Sequence, residues 1–311
     1  MTSNLSPHFK AVFQALVVTF LWSTSWVLIK IGLRDIPALT FAGLRYSLAW
    51  LCLLPFALQP SQRQGLRLLR RKDWISLAWL GLLFYTLTPG AQFVGLAYLP
   101  AVTVSLLLNF TSLFVALLGI FLLSERPSWL QWSGMGFFLA GILIYFYPVN
   151  LPAGQALGFE VVMAGVIANA LSAVLGRGIN RTGHIPPLLV TTVSMGIGSL
   201  ALLASGIMIQ GLPHLSLLNW LIIAWLAVIN TAFAFTLWNH TLRVLSAMES
   251  SIINSTMLVQ IALLAWLFLG ESLNWQKGTG MLLAGLGALV VQLQLKSRVE
   301  RQSPAQESEL V

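Results

Sequence analysis

Residues 117–144 read LLGIFLLSERPSWLQWSGMGFFLAGILI, and residues 263–289 read LLAWLFLGESLNWQKGTGMLLAGLGAL. Each is an apolar run closed by a glutamate, with a tryptophan four residues on and a second apolar run behind it. Glu125 and Trp129 recur as Glu271 and Trp275, 146 positions later. The same shift, without a gap, lays Trp74 on Trp220, Trp79 on Trp225, Ala101 on Ala247 and Ser105 on Ser251. It also lays Gly134-Met135 on Gly280-Met281 and Gly141 on Gly287. The chain has only nine acidic side chains. Two of them in one context, half a chain apart, mark a duplication.

The rest of the chain says where that duplication lives. Hydrophobic residues make up 57% of the 311 and charged residues 8%, against about 25% charged in soluble domains. The charges are clustered, and the apolar stretches between them reach the roughly 20 residues needed to cross a bilayer. Apolar runs and their breaks predict ten helices, near 11–33, 38–59, 74–98, 101–123, 129–148, 157–178, 187–209, 219–242, 246–269 and 275–295. Short loops carry Pro37, Pro100, Pro127, Pro152, Pro186-Pro187 and Pro213. The expected organisation is an N-terminal segment 1–10, a first repeat 11–148, a second repeat 157–295 and a polar tail 296–311 expected to be disordered.

The formal charge of +8 would suggest nucleic acid in a soluble protein. Here the basic residues cap hydrophobic spans, so they set topology instead. With both termini cytoplasmic, the inner segments hold Lys10, Arg63, Arg67, Arg70, Arg71, Lys72, Arg126, Arg177, Arg181, Arg243, Lys296, Arg298 and Arg301. Lys30, Arg34, Arg45 and Lys277 lie on the other side. That bias satisfies the positive-inside rule. Cys52 is the sole cysteine, so neither an intrachain disulfide nor a cysteine metal site is available. The run 11–33 is too long for a signal-peptide core and reads as a retained helix.

Half of ten helices is five. An odd repeat inserts its second copy upside down, so Glu125 is expected at the cytoplasmic mouth and Glu271 at the outer one. Inverted repeats suit alternating access, because each half supplies the gate on one side.

These features resemble a known family. FLWSTSWVLIKIGL (residues 20–33, with Lys30), FAGLRYSLAW (41–50, with Arg45) and the two quoted stretches are similar to the EamA-type repeat of the drug/metabolite transporter superfamily. The resemblance covers about residues 11–295. It implies an all-α bacterial inner-membrane carrier, often an exporter of amino acids, metabolites or drugs, with a cavity between the halves. Family members commonly carry a proline thirteen residues before each glutamate. Ser112 and Leu258 stand at those places, so the fourth and ninth helices are expected to be straighter than usual.

Candidate gating pairs are Lys30 or Arg45 with Glu271 at one mouth, and Arg177 or Arg181 with Glu125 at the other. The alternative is that each charge only snorkels to its headgroup region. Arg45 falls about 10 Å below the start of its helix at 1.5 Å per residue. Such a depth suits either a substrate carboxylate or a staple to Glu271 and a backbone carbonyl. Polar residues at membrane depth are Asn109 (with Ser105 and Ser112 on one face), Asn169, Asn230, Ser251 and Asn254. They read either as a hydrogen-bonding cavity wall or as interhelical glue. Trp22 lies too deep for the interfacial belt that suits Trp74, Trp129, Trp220 and Trp275, and with Tyr85 in the middle of the third helix and Trp238 in the eighth it is a further cavity candidate. Pro89-Gly90 is expected to kink the third helix.

No phosphate loop, Gly-x-Ser-x-Gly or His-Glu-x-x-His is present, so no enzyme and no cofactor are expected. The sequence thus predicts a carrier for a small neutral or zwitterionic metabolite, amino-acid-like or aromatic. Its partners would be that solute and the lipid bilayer, with no nucleic acid. An intramembrane enzyme and a scaffold or channel subunit are the alternatives. No carboxylate falls clearly at the midplane, which leaves proton coupling, exchange and facilitated diffusion all open.

Overall fold

A computed structural model describes residues 7–123, 128–147, 153–181, 184–241, 244–245 and 247–290. Ten apolar rods and one short amphipathic helix account for most of them. Helix α1 is Pro7–Gly32, α2 is Ala38–Ala57 and α3, the short one, is Pro60–Arg67. Helix α4 is the rod Arg71–Tyr98. Helix α5 comprises Ala101–Leu108 and Phe110–Leu123. Helices α6, α7 and α8 are Trp129–Phe146, Ala153–Arg181 and Pro187–Gln210. Helix α9 runs through Leu217–Ala227, Val228–Phe233 and Ala234–Thr241. Helix α10 is Ala247–Leu269 and α11 covers residues 275–290.

The fold is an all-α membrane protein of two inverted five-helix repeats: the rods α1, α2, α4, α5 and α6, with the short α3 as an extra, and the rods α7–α11. Its packing obeys the inversion. Helix α1 lies on α10 and α7 on α5; α4 lies on α7 and α8, while α9 lies on α1 and α2. Each of these pairings crosses between repeats and has its mirror partner. Trp129 and Trp275, which open α6 and α11, are both 91% exposed, as interfacial tryptophans in equivalent places should be.

The α6–α11 joint is built from glycine. A Cβ on Gly141 would sit 2.5 Å from the carbonyl oxygen of Gly280, and one on Gly287 would sit 2.5 Å from that of Gly134. Ala284 fills the space beside Gly141. Small residues let two backbones touch, which supplies packing where lipid gives no hydrophobic drive.

Three local features were not expected from the sequence. The loop after α2 folds into α3, whose Leu66 packs beside Leu77 and Leu189, and Arg63 donates to Leu58 O at 2.7 Å. Helix α5 is interrupted at Asn109 rather than straight: Asn109 N bonds Leu106 O and Ser112 N bonds Asn109 O, each at 3.1 Å. These tighter i→i+3 bonds occur without the family proline.

The third feature is a pair. The backbone widens to a π-helical turn at Leu82–Leu87 in α4 and again at Val228–Phe233 in α9. The two turns are offset by the same 146 residues as the glutamates. Threonine hydroxyls take up carbonyls at these turns, Thr88 Oγ1 donating to Leu83 O and Thr231 Oγ1 to Leu226 O, each at 2.8 Å. In α4 the turn lies just ahead of Pro89, which lacks an N–H and crowds the preceding turn. The expected proline kink is therefore a widened turn, and α9 makes the same turn with no proline.

Candidate functional site

The π-helical turns face each other across a cavity of about 610 Å³. Phe84, Tyr85, Thr88 and Gln92 line it from α4, and Thr231, Ala232 and Phe235 from α9. Tyr46 and Leu53 of α2, Leu108 of α5, Asn169 of α7 and Thr191 of α8 complete most of the wall. The cavity begins at the level of the turns and reaches Pro187 and Leu188, the first residues of α8, at the N-terminal end of the bundle. Among the described residues that line it, none is Asp, Glu, Lys or Arg.

The opposite end is sealed. Ile29, Ile36, Phe41, Phe93, Leu96, Leu99, Leu106 and Leu107 form one cluster and are all but inaccessible. Phe41 and Phe93 meet edge to face at 5.2 Å. Burying such side chains stabilises the closed end by about 1.5–3 kcal/mol each. Above this plug, Glu271 from the α10–α11 loop caps the N-terminus of α5. Its Oε1 accepts from Ala101 N at 2.5 Å and its Oε2 from Val102 N at 3.2 Å. A carboxylate on orphan N–H groups at a helix start also meets the positive end of the helix dipole. One repeat thus clamps the other at this end.

The sequence had paired Glu271 with Lys30. Lys30 lies near enough for the Glu271 charge to act on it, but among the described residues no ion pair joins them; the clamp is made to backbone instead. Glu125 lies outside the described residues. Arg177 falls on α7 and Ser251 on α10, with the side chains of both outside what is described. At the N-terminal end a hydrogen bond joins His184 Nε2 to Asp73 Oδ1 at 2.9 Å, linking the α7–α8 loop to α4.

The polar residues divide by role. Tyr85 and Asn169 line the cavity, with Asn169 Nδ2 also donating to Thr111 Oγ1 at 3.3 Å. Asn230 is fully buried beside the cavity and staples α9 to α1. Its Nδ2 donates to Leu21 O, to Ser25 Oγ at 2.9 Å and to Thr24 Oγ1 at 3.2 Å, leaving Oδ1 without a partner. Asn109 turns back on its own helix, donating to Ser105 O at 2.8 Å. Asn254 is exposed on α10. Trp22 packs on Phe235 and Trp238 at 5.0 and 5.3 Å, so Trp22 and Trp238 back the aromatic wall rather than line it.

Arg45 is 6% exposed, and its partner is Thr231 rather than Glu271. Nε and Nη2 reach Thr231 Oγ1 at 3.3 and 3.2 Å, and the guanidinium lies 5.4 Å from the centre of the Tyr46 ring. Sequence reasoning missed Thr231 and Tyr46. The first was recoverable, since the repeat offset carries Tyr85 onto Thr231.

Two inverted five-helix repeats around a one-sided cavity make the fold of a membrane transport protein. The chain belongs to the EamA-like transporter family, whose model matches residues 9–147 and again 157–293. It is 27% identical over 237 residues to a "probable amino-acid metabolite efflux pump" of Escherichia coli (strain K12), covering 73% of this chain and 76% of that one. It is 29% identical over 259 residues to the "uncharacterized inner membrane transporter YedA" of the same organism, covering 77% and 76%. A crystal structure 18% identical in sequence superposes with a TM-score of 0.64 over 92% of this chain and 98% of that one, which is a likeness of fold.

Proposed function

We propose that this protein is a secondary carrier of a bacterial inner membrane that exports a small amino-acid-like or aromatic metabolite by alternating access. The observation that carries the reading is the one-sided cavity: polar and aromatic at the middle, reaching one end, plugged at the other. Both termini are cytoplasmic in this reading, by the distribution of basic residues. The structure then corresponds to the inward-open state, ready to load from the cytoplasm. The name of the Escherichia coli relative supports the solute class.

Glu271 holds the outer gate in this account. Its carboxylate links the repeats while the outer plug is packed, and must leave the α5 N-terminus when that plug opens. Replacing such a cap costs about 1 kcal/mol, roughly a fivefold shift between closed and open. A cysteine placed at Leu107, in a background lacking Cys52, is expected to react faster with a thiol reagent in Glu271→Ala.

The reading itself is tested by flux in proteoliposomes, with a panel of amino acids and aromatic metabolites and with or without a pH gradient. Saturable uptake of at least one solute is the expected result. A gradient-driven increase assigns proton coupling, and indifference assigns exchange or facilitated diffusion. If no solute moves above empty liposomes, the carrier assignment falls.

A further inference from the structure

Helix α8 lines two hollows with two of its faces. Leu188, Thr191 and Met195 border the cavity already described. Leu189, Thr192, Val193 and Gly196 border a second hollow of about 260 Å³, between α2, α4 and α8, which shares no residue with the first. Trp50 lies against Gly196 in it, so closely that a Cβ there would sit 2.7 Å from Trp50 Nε1. Leu58, Trp74 and Leu200 on its walls are exposed, which makes the hollow a groove open to the bilayer. Thr192 carries the one hydroxyl among the described lining residues; the rest are apolar or aromatic.

The groove has a length and a direction. Along α8 it runs from Leu189 to Leu200, about 16 Å at 1.5 Å per residue. Along α2 it runs from Leu58 back to Trp50, about 12 Å by the same measure. Half of a hydrocarbon core of about 30 Å has that depth, so the groove is as long as one leaflet is thick. It starts where α2 ends and where α4 and α8 begin, the end that the basic residues mark as cytoplasmic.

The rim at that start is cationic. Helix α3 lies across it: a Cβ on Gly65 would be 2.8 Å from Leu189 Cδ1, and Leu66 lines the groove. Arg63 and Arg67, one turn apart on α3, are exposed on either side of Leu66 in the chain, and Arg70, Arg71 and Lys72 are exposed just before Trp74. Asp73 is the single acid between residues 36 and 124. It is buried and committed, accepting from Arg70 N at 2.9 Å and bonded to His184 Nε2. Topology alone asks for positive charge on this side. It does not ask for a leaflet-deep groove that ends among five cations.

We propose that the groove binds an anionic phospholipid of the cytoplasmic leaflet, with an acyl chain along α2 and α8 and the phosphate among Arg63, Arg67 and the 70–72 cluster. Juxtamembrane clusters of about four to eight basic residues attract anionic headgroups, and a guanidinium meets a phosphate with a fork of donors. A zwitterionic lipid brings the same chain, but its own cation offsets the phosphate. Because α8 borders both hollows, the lipid braces a helix that also walls the inner cavity. The site stands whatever solute the protein carries.

The test places the purified full-length protein in phosphatidylcholine bilayers and titrates in phosphatidylglycerol with brominated acyl chains, which quench nearby tryptophans. Brominated phosphatidylcholine, titrated the same way, is the comparison. Half-maximal quenching is expected at a mole fraction about fivefold or more lower for the anionic lipid. That low-fraction quenching should vanish in Trp50→Phe/Trp74→Phe. Arg63→Gln/Arg67→Gln, at the surface and away from the inner cavity, should move the midpoint toward that of phosphatidylcholine.

Equal quenching by the two lipids overturns the proposal, leaving ordinary contact with bulk lipid. This comparison needs no substitution, so it holds even if a variant fails to fold. Anionic-selective quenching that survives loss of both tryptophans puts the lipid elsewhere. An unmoved midpoint in the folded arginine variant removes the headgroup contact. Inorganic phosphate that displaces the brominated lipid, beyond the effect of chloride at equal ionic strength, makes the rim a site for a free anion instead.

Discussion

The π-helical turn of α4 and that of α9 occupy the same place in the repeat but hold to the bundle by different means. The α4 turn is wedged against α8 through backbone. Gly81 and Gly198 meet so closely that a Cβ on Gly198 would also lie 2.7 Å from Tyr85 Cβ, and Thr86 Oγ1 donates to Gly198 O at 2.7 Å. The α9 turn is held by side chains, Asn230 to α1 and Thr231 to Arg45 of α2. Repeats that are inverted copies cannot be in identical surroundings when one end is shut and the other open. The difference between the two turns is where that asymmetry is visible. A wide turn in each helix gives a place where it can flex, and the contacts decide which one is locked.

Breaking the backbone wedge should have the largest effect. Gly198→Val places two methyls where Gly81 and Tyr85 already sit, and overpacking of this kind costs about 1–3 kcal/mol or more. A clear fall in melting temperature is expected, together with slowed transport. An unchanged melting temperature would mean that α4 and α8 are not wedged.

The side-chain staple should be weaker. Asn230→Leu removes the two amide protons shared among three acceptors, but Thr24 Oγ1 already has Leu21 O at 2.7 Å as an acceptor. A loss of about 1–2 kcal/mol in chemical denaturation is expected. A loss equal to that of Gly198→Val would erase the distinction between the two turns.

The smallest effect is expected at Pro89. Since α9 forms its turn with Phe235 in the equivalent place, Pro89→Ala should change stability by less than about 1 kcal/mol and preserve binding of the preferred solute. Collapse of the site in this variant would show that the two turns have different causes.

Much of this was written plainly in the chain. The ten rods followed from apolar runs, and the inversion followed from one offset shared by glutamates, tryptophans and glycines. The same offset places the π-helical turns, yet their existence was not legible: a widened turn depends on which carbonyls find a hydroxyl, not on hydrophobic period. Helix α3 was hidden for a similar reason, since Leu66 shows its worth only once Leu189 is beside it. For Arg45 the depth could be read and the partner could not, because Thr231 lies in the other repeat. Lys30 and Glu271 show the limit of matching opposite charges along a sequence. Backbone N–H groups at a helix start compete for a carboxylate, and at Ala101 and Val102 they win it.

The glycine joint between α6 and α11 has a consequence for ancestry. Gly134 touches the chain at Gly287, and Gly280 touches it at Gly141; each half therefore carries both sides of the same fastening. A single half-length polypeptide with one such pair of glycines would already fit a second molecule of itself threaded through the membrane in the opposite sense. Joining two such copies in one chain would need no new contact at this joint.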